Sequence, residues 1–510
     1  MKHQYIIIWI SCILLLQACS SSNIETIVVD RTPSTPPAPE ELEEEAPEIQ
    51  GNILRIGEVN KITSLDPLFA LNPASQRMIQ LVYEGLVSLD EHDDILPAIA
   101  NSWEISSDSL EYTFHLDRNI SYHDDESFAS GIGRQIRASD FKRAFERMAS
   151  RDVPPNAAEL FVDQIIGFEA YNNEQREVYL TEERTLDQIP GINAVNDSTL
   201  TFTLNEQDPY FLHKLATPFA VVYPEESLDN RTNGLKNHPV GTGSFTYNTS
   251  LGDTLHILNR NKNYHGTDEN GAALPKLSRI EVLNTSNETN LFSKLALGQL
   301  NIIMELGPQM VRSLVNANNE LNSSYRNQYE LGVVDHDEPY IIQYNPNNIY
   351  NLDSGHASAL AHSLAFDSLK AAYGNPSLQM AYRDNLVNDL SHLDDLHELF
   401  SLNQDSRRLI MGFGTDISSQ ILSAQIISAF RDKFNSALMN QRVLNRDIFL
   451  YLDQNIRYTP QDRAEHYPQE IMRFYNDRYI LFNNELEGIK FNSYSWWVKL
   501  DHVTISELPS

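Results

Sequence analysis

Cysteine, histidine and the carboxylates are the side chains that most often do chemistry, and their placement here narrows the options. The chain has 510 residues and two cysteines, Cys12 and Cys19, both near its start. Beyond Cys19 there is no thiol, so a disulfide framework, a zinc–thiolate site and a cysteine nucleophile are excluded from the rest of the chain. There is no Gly-x-Ser-x-Gly elbow and no His-Glu-x-x-His helix. His392 and His397, in "SHLDDLHELF", stand five apart, a poor spacing for one helical face, and read as surface residues. "GIG" at Gly131–Gly133 lacks the third glycine of a phosphate-binding loop. Paired carboxylates are too common in so acidic a chain to carry weight. What remains is recognition: the chain is expected to be no enzyme, with no catalytic residue, no metal and no cofactor.

Cys19 needs its own explanation. The apolar run from Tyr5 to Leu16 is broken only by Ser11 and Cys12. It is too short to span a bilayer permanently, which takes about 20 residues, but it suits the core of a secretory signal. The run ends in Leu16-Gln17-Ala18-Cys19, which resembles a bacterial lipobox. That resemblance implies cleavage after Ala18, a diacylglycerol thioether on Cys19 and acylation of the new N-terminus with a palmitate-type chain. Two or three acyl chains anchor stably where one does not. Residues 1–18 are therefore expected to be a lipoprotein signal peptide. The tether, 19–51, follows, with five prolines between Pro33 and Pro47 and five glutamates between Glu40 and Glu45. Such sequence is extended, self-repelling and unable to bury a core. The expected location is extracytoplasmic, in a periplasm or on a cell surface, lipid-anchored to a bacterial membrane.

Seventy acidic residues against 38 basic ones give a net charge of −32. Nucleic-acid binding needs a basic field to displace counterions, so it is excluded as a role. Adhesion to anionic lipid heads is excluded likewise. An acidic, solvated surface is the reading that remains. With 41% hydrophobic residues, the body is long enough for a large core divided over more than one lobe.

The elements that would position a site begin at Asn52. "ILRIG" reads as a first strand, and "QRMIQLVYEGLV" as a helix with Met78, Ile79, Val82, Leu86 and Val87 on its buried face. "LEYTFHL" alternates, with Tyr112, Phe114 and Leu116 on one side. In "RASDFKRAFERM", Ser139 is the expected cap, and Phe141, Ala144, Phe145 and Met148 form a helical stripe. "STLTFTL", "DTLHILNRN" and "SRIEVLN" read as strands, and "NLFSKLALGQL" as a helix before "NIIME". Strands and helices mix with no internal period, which favours an α/β architecture over a repeat protein or an all-β barrel.

The order of landmarks carries a resemblance. "SLDP", "VYEGLVSLD", "LPAIANSWEISSDSLEYTFHLDRNISYHDD", "IRASDFKRAFERM", "HPVGTGSFTYN", "LNRNKNYHG" and "LALGQLNI" follow one another over about 240 residues. Together they resemble the family 5 extracellular solute-binding proteins, the peptide receptors of ABC importers. The resemblance implies a two-lobed periplasmic-binding-protein-like fold (type II, cluster C-like) whose first lobe carries an extra small domain. The expected division is lobe I at 52–95, the small domain at 96–195, lobe I again at 196–290, a shortened lobe II at 291–480, and a return to lobe I at 481–510. Trp103 and Tyr112 are expected in the core, and Gly241 and Gly243 in backbone conformations other residues resist.

The match thins in the second half. "ASALAHSLAFDSLKAA" resembles the family's helix after the lobe crossing but lacks its usual arginines, and the segment between Asp367 and Gly412 is short. "LIMGFGTD" resembles the family's Gly-Trp-Gly-Ala-Asp-Tyr motif, with Phe413 in place of tryptophan. Carried over, the motif implies that Asp416 faces a ligand's ammonium group and that Phe413 and Gly414 line the same cleft. A capping or surface role for Asp416 is the alternative. The implied function is capture of peptides, by closure of two lobes, for the permease subunits of an ABC transporter, the protein being a monomer. The alternatives are a receptor for a non-peptide ligand, or a degenerate lipoprotein acting in surface interaction or sensing.

Overall fold

The computed structural model describes residues 52–506, apart from 230–233, 253, 335–338, 349–350, 383–391, 402–408, 415, 435–436, 441–449 and 455–468. The signal segment, Cys19 and the tether lie outside the described residues.

Strand β1 (Ile53–Glu58) leads to helix α1 (Pro73–Val82). Asn72 caps α1 by accepting from the Ser75 amide at 2.8 Å, and Pro73 occupies the first helical position, where no N–H is needed. The expected helix overran its end. Tyr83 turns extended, and Val87 begins a short strand, Val87–Leu89, paired with Ile95–Pro97. Leu86 and Val87 are buried in either conformation, so apolar spacing alone misassigned them.

A four-stranded antiparallel sheet follows: β2 (Ala100–Ile105), β3 (Glu111–Leu116), β4 (Ile192–Asn196) and β5 (Thr199–Thr203), in the order β2-β3-β5-β4. Helix α2 (Ala138–Met148) packs on it through Phe141, Ala144, Phe145 and Met148, all buried. Phe145 and Phe114 each meet Phe202, at 5.1 and 5.8 Å between ring centroids. Ser139 is not the cap. The cap is Arg137, two residues earlier, and the Asp140 carboxylate accepts from the Arg137 amide at 2.9 Å. Tyr112 is in this core, and Trp103 packs against it.

The main sheet of the first body is completed by β6 (Phe245–Leu251), β7 (Leu255–Arg260), β8 (Arg279–Asn284), β9 (Ile302–Ile303) and β10 (Tyr329–Val334). Helix α3 (Glu288–Ala296) precedes β9, and α4 (Pro308–Leu314) follows it. The chain then enters a second sheet with β11 (Tyr340–Tyr344), helices α5 (Ser354–His362) and α6 (Phe366–Tyr373), and β12 (Gln379–Tyr382). Helix α7 (His392–Ser401), β13 (Leu409–Phe413), helix α8 (Ile417–Phe434), β14 (Ala437–Asn440), β15 (Leu450–Gln454) and β16 (Glu470–Tyr475) complete it. Asn476 and Asp477 lead back to β17 (Arg478–Asn483) in the first sheet.

The first sheet has the order β10-β17-β9-β1-β8-β7-β6, and the second β12-β16-β11-β15-β13-β14. β1 pairs parallel with β8 and β9, and β13 parallel with β14 and β15. Each sheet has its own apolar core. β9 and β10 belong to the first sheet, although 291–480 was expected in the second lobe. The second sheet takes its first strand at Tyr340. After β17, Leu486, Val498, Leu500 and Val503 return to the first core, while Tyr494, Trp496 and Trp497 cluster around Leu89.

Gly241 and Gly243 are needed for a different reason from the one expected. Neither has positive φ. Instead a Cβ on Gly241 would overlap the Val82 carbonyl oxygen, and one on Gly243 would sit 2.6 Å from that of Leu81. The loop therefore lies against the end of α1, where the Gly243 amide donates to Val82 O at 2.9 Å. Gly241→Ala is expected to destabilise the protein by about 1–3 kcal/mol through overpacking, measured by urea denaturation against wild type.

Candidate functional site

The two sheets meet where the segment after β9, helix α4 and the start of β17 face β11, α6 and α8 of the second, with β1 and α1 behind them. Glu58, the last residue of β1, and Arg77, in α1, form a bidentate pair with both nitrogen–oxygen distances at 2.7 Å. Both side chains are buried, 3% and 4% exposed. The third guanidinium nitrogen donates to the Ser495 carbonyl at 2.6 Å, so one side chain fastens strand, helix and C-terminal segment together. Two-point recognition of this kind is the strong form of a charged hydrogen bond.

Glu305, just after β9, stands 4.0 Å from Arg77 and accepts from the Asn60 amide group at 3.2 Å. Burial pushes its carboxyl above the ordinary range. The charges of Asp416 and Glu58 add to that push, and Arg77 and Arg478 oppose it. Arg478 donates to the carbonyls of Tyr494 and Asn492 at 3.1 Å each.

Across the junction stand Tyr340 of β11 and Tyr373 of α6, both buried, both hydrogen-bonded to Ser418. Burial raises both phenols, and the nearby Asp416 and Glu305 charges add to it. The site is acid-rich. Glu58, Glu305 and Asp416 face Arg77 and Arg478, with Asp477 at the rim. Glu305, Arg478, Asp477, Tyr340, Tyr373 and Ser418, with Pro308, Val311 and Asn375, line a void of about 10 Å3, room for about one water, and Glu58, Arg77 and Asp416 stand behind this lining.

Of the three residues singled out in the sequence, the structure places one at this junction. Asp416 is buried, and its carboxylate accepts from the Ser419 amide at 2.7 Å, capping α8. The cap is local, and the same side chain acts electrostatically on Glu305, Tyr340 and Tyr373. Phe413 is buried at the end of β13 opposite Leu452, and the Gly414 amide donates to the Leu452 carbonyl at 2.9 Å. Both are held by β15, and none of the three lines the void. Glu58, Arg77, Glu305, Tyr340 and Arg478 were missed. One sign of them was present: "RIGE" and "IIME" each close a short apolar strand with a glutamate.

A larger cavity, about 410 Å3, lies within the first body. Glu84 and His265 meet on its wall at 3.0 Å, and Asp501 and Trp497 help line it. None of its lining residues belongs to the second sheet.

Two-lobed architecture and an inter-lobe polar junction describe a class of solute-binding receptor. The model of "bacterial extracellular solute-binding proteins, family 5 Middle" matches residues 94–348, half of the chain. The protein belongs to this family, whose members are extracytoplasmic binding proteins and not enzymes. It is 30% identical over 180 residues to di/tripeptide-binding protein 1 of Pseudomonas aeruginosa, covering 34% of this chain and 30% of that one. It is 28% identical over 233 residues to heme-binding protein A of Haemophilus influenzae, covering 44% and 38%. The matched stretch thus spans about a third of each of these relatives. The fold extends further: the substrate-binding domain of an oligopeptide ABC transporter from Bacillus anthracis superposes with a TM-score of 0.70 at 15% identity, over 90% of this chain and 99% of that one.

Arg77→Met is expected to cost about 3–5 kcal/mol, because Glu58 is left charged and buried; denaturant unfolding checks it. Glu305 has a raised pKa when folded, so its stabilising contribution is full below the ordinary value of 4.5 and is lost as pH rises through the folded value. Glu305→Gln should remove that decline, read as a flatter melting temperature against pH above 4.5.

Proposed function

We propose that this protein is a lipid-anchored receptor that captures peptides between its two lobes and delivers them to an ABC permease. The observation that carries the reading is the buried, acid-rich junction between the sheets of a family 5 chain. A peptide's ammonium terminus would compensate the crowded carboxylates of Asp416 and Glu305 there, through charge-assisted hydrogen bonds that ignore side-chain identity. Because the junction void holds about one water, entry requires the lobes to part, and the chain crossing after β16, at Asn476 and Asp477, is a point that would bend. Closure over the ligand then presents the permease with a shape that reports occupancy.

Cys19, lipidated after removal of 1–18, would anchor the protein, and the tether 19–51 would hold the body away from the bilayer by about 3 Å per residue. Anchoring raises the local concentration at the permease. Among the described residues no helix is long and apolar enough to cross a membrane.

The narrow void favours one competing reading: a receptor-like lipoprotein whose lobes stay shut and which acts in surface interaction instead. Solution scattering with and without peptide separates the two, since only the transport reading requires a change in dimensions.

Asp416 separates capping from recognition. Asn caps as well as Asp, whereas Ala does not. Asp416→Asn should keep stability within about 0.5 kcal/mol yet weaken binding of di- and tripeptides with free N-termini by at least about tenfold. Asp416→Ala should in addition lose about 1 kcal/mol of stability. Calorimetric titration paired with thermal melts measures both. Absence of binding by any short-peptide pool to folded wild-type protein would overturn the receptor reading.

A further inference from the structure

On the second lobe, away from the junction, α5 and α7 pack against each other. His392 opens α7, Asp395 lies three residues on and so on the same face, and His356 sits in the first turn of α5. His392 was expected to be a surface residue poorly spaced from His397. Its companions instead come from Asp395 and from the neighbouring helix. His356 Nε2 is 3.9 Å from the Asp395 carboxylate, and His392 Nδ1 is 3.8 Å from the same oxygen. One ligating atom from each of the three residues lies within 4.8 Å of the others.

Four features distinguish this cluster from a chance surface grouping. The His392 Nδ1 atom is buried and has no hydrogen-bond partner among the described residues, a costly state for a ring nitrogen. The His356 and His392 rings lie 4.5 Å apart, centroid to centroid, with no hydrogen bond between them. Gly355 makes room for this: a Cβ there would come within 2.9 Å of His392 Nε2. Finally, His356 is oriented from behind. Its Nδ1–H donates to the Asp353 carboxylate at 2.7 Å, and that carboxylate is fixed by the amides of Gly355 and His356 at 3.0 and 3.1 Å. This leaves Nε2 as the free lone pair. A carboxylate holding the far nitrogen of a histidine is the usual outer support of a metal ligand.

We propose that His356 Nε2, His392 Nδ1 and an Asp395 carboxylate oxygen form a binding site for a borderline divalent transition cation of the Zn2+ class. Two imidazoles and one carboxylate suit such an ion, whereas Mg2+ and Ca2+ take oxygen ligands. With bonds of about 2.0–2.1 Å a tetrahedral ion holds its ligands about 3.3 Å apart. From 3.8 and 3.9 Å the Asp395 contacts need to draw in by about half an ångström, and the two histidine nitrogens, within 4.8 Å of each other, by up to about 1.5 Å, through rotamer adjustment of the rings as well as of the exposed Asp395. A fourth position stays open to water or to a ligand atom brought from outside. Asp353 is a positioning residue: it holds the ring and tautomer of His356 and does not touch the ion. Bound metal would tie α5 to α7 and so link the stability of the second lobe to the supply of the ion.

The test uses the full chain stripped of metal with a chelator. Zn2+ titrated by calorimetry should bind at one equivalent with a matching rise in melting temperature, and Co2+ should give the visible absorption of a low-coordinate site. Mg2+ should do neither. Asp395→Ala, at an exposed position that should not disturb folding, and His392→Gln should each weaken Zn2+ by more than about 100-fold and abolish the Co2+ spectrum. Asp353→Asn should weaken binding by about 10–100-fold while keeping the stoichiometry. No saturable Zn2+ binding, or binding of unchanged affinity in the Asp395 and His392 variants, would overturn the proposal.

Discussion

The Arg77–Glu58 pair is the constraint on which the junction depends. Two charges with almost no exposure are tolerable only because every arm of the guanidinium is used: two on the carboxylate and one on the Ser495 carbonyl. That arrangement fixes α1 against β1 and draws the C-terminal segment across both. Glu305 and Arg478 are then held at the edge of the same polar island, facing the second sheet. Without the pair the first lobe would present a soft surface, and the groups opposite it would have no fixed field to meet.

The second lobe meets that field with a helix end. Asp416 sits at the N-terminus of α8, where the backbone amides and the helix dipole favour a negative charge. Its carboxylate therefore tolerates burial while still crowding Glu305. Tyr340 and Tyr373, both bonded to Ser418, cover the remaining contact. The junction is thus organised by groups whose charges are balanced locally within each lobe and imperfectly between them.

Much of the first body was legible in the sequence. β3 and α2 have clean periods of two and three to four, because each has one buried face and one wet one. The end of α1 was misread where the apolar run continued past the helix into a buried strand. Strands as short as β9 yield no period at all, and its assignment to the first lobe depends on pairing with β1 and β17. The polar junction could not be read for another reason: Glu58, Arg77, Glu305, Asp416 and Arg478 are scattered along the chain and meet only in three dimensions. Asp416 was found through its motif, and its capping partner through neither motif nor period. At His392 the spacing to His397 pointed away from a site, because the nearest ligating groups are Asp395 at helical spacing and His356 on another helix.

The register of the first sheet has a further consequence for how such a molecule is assembled. β10 and β17 are antiparallel neighbours, and Val334 lies directly opposite Arg478. Everything between them is therefore an insert at the tip of what would otherwise be an ordinary hairpin. Closing so long an excursion in place of a tight turn adds only about 3 kcal/mol of chain entropy, because that penalty grows with the logarithm of length. An insert with its own apolar core can repay this by itself. The parent hairpin keeps its register whatever is spliced into it, so the outer lobe is free to shrink, grow or change its helices over evolutionary time while the inner sheet stays as it is.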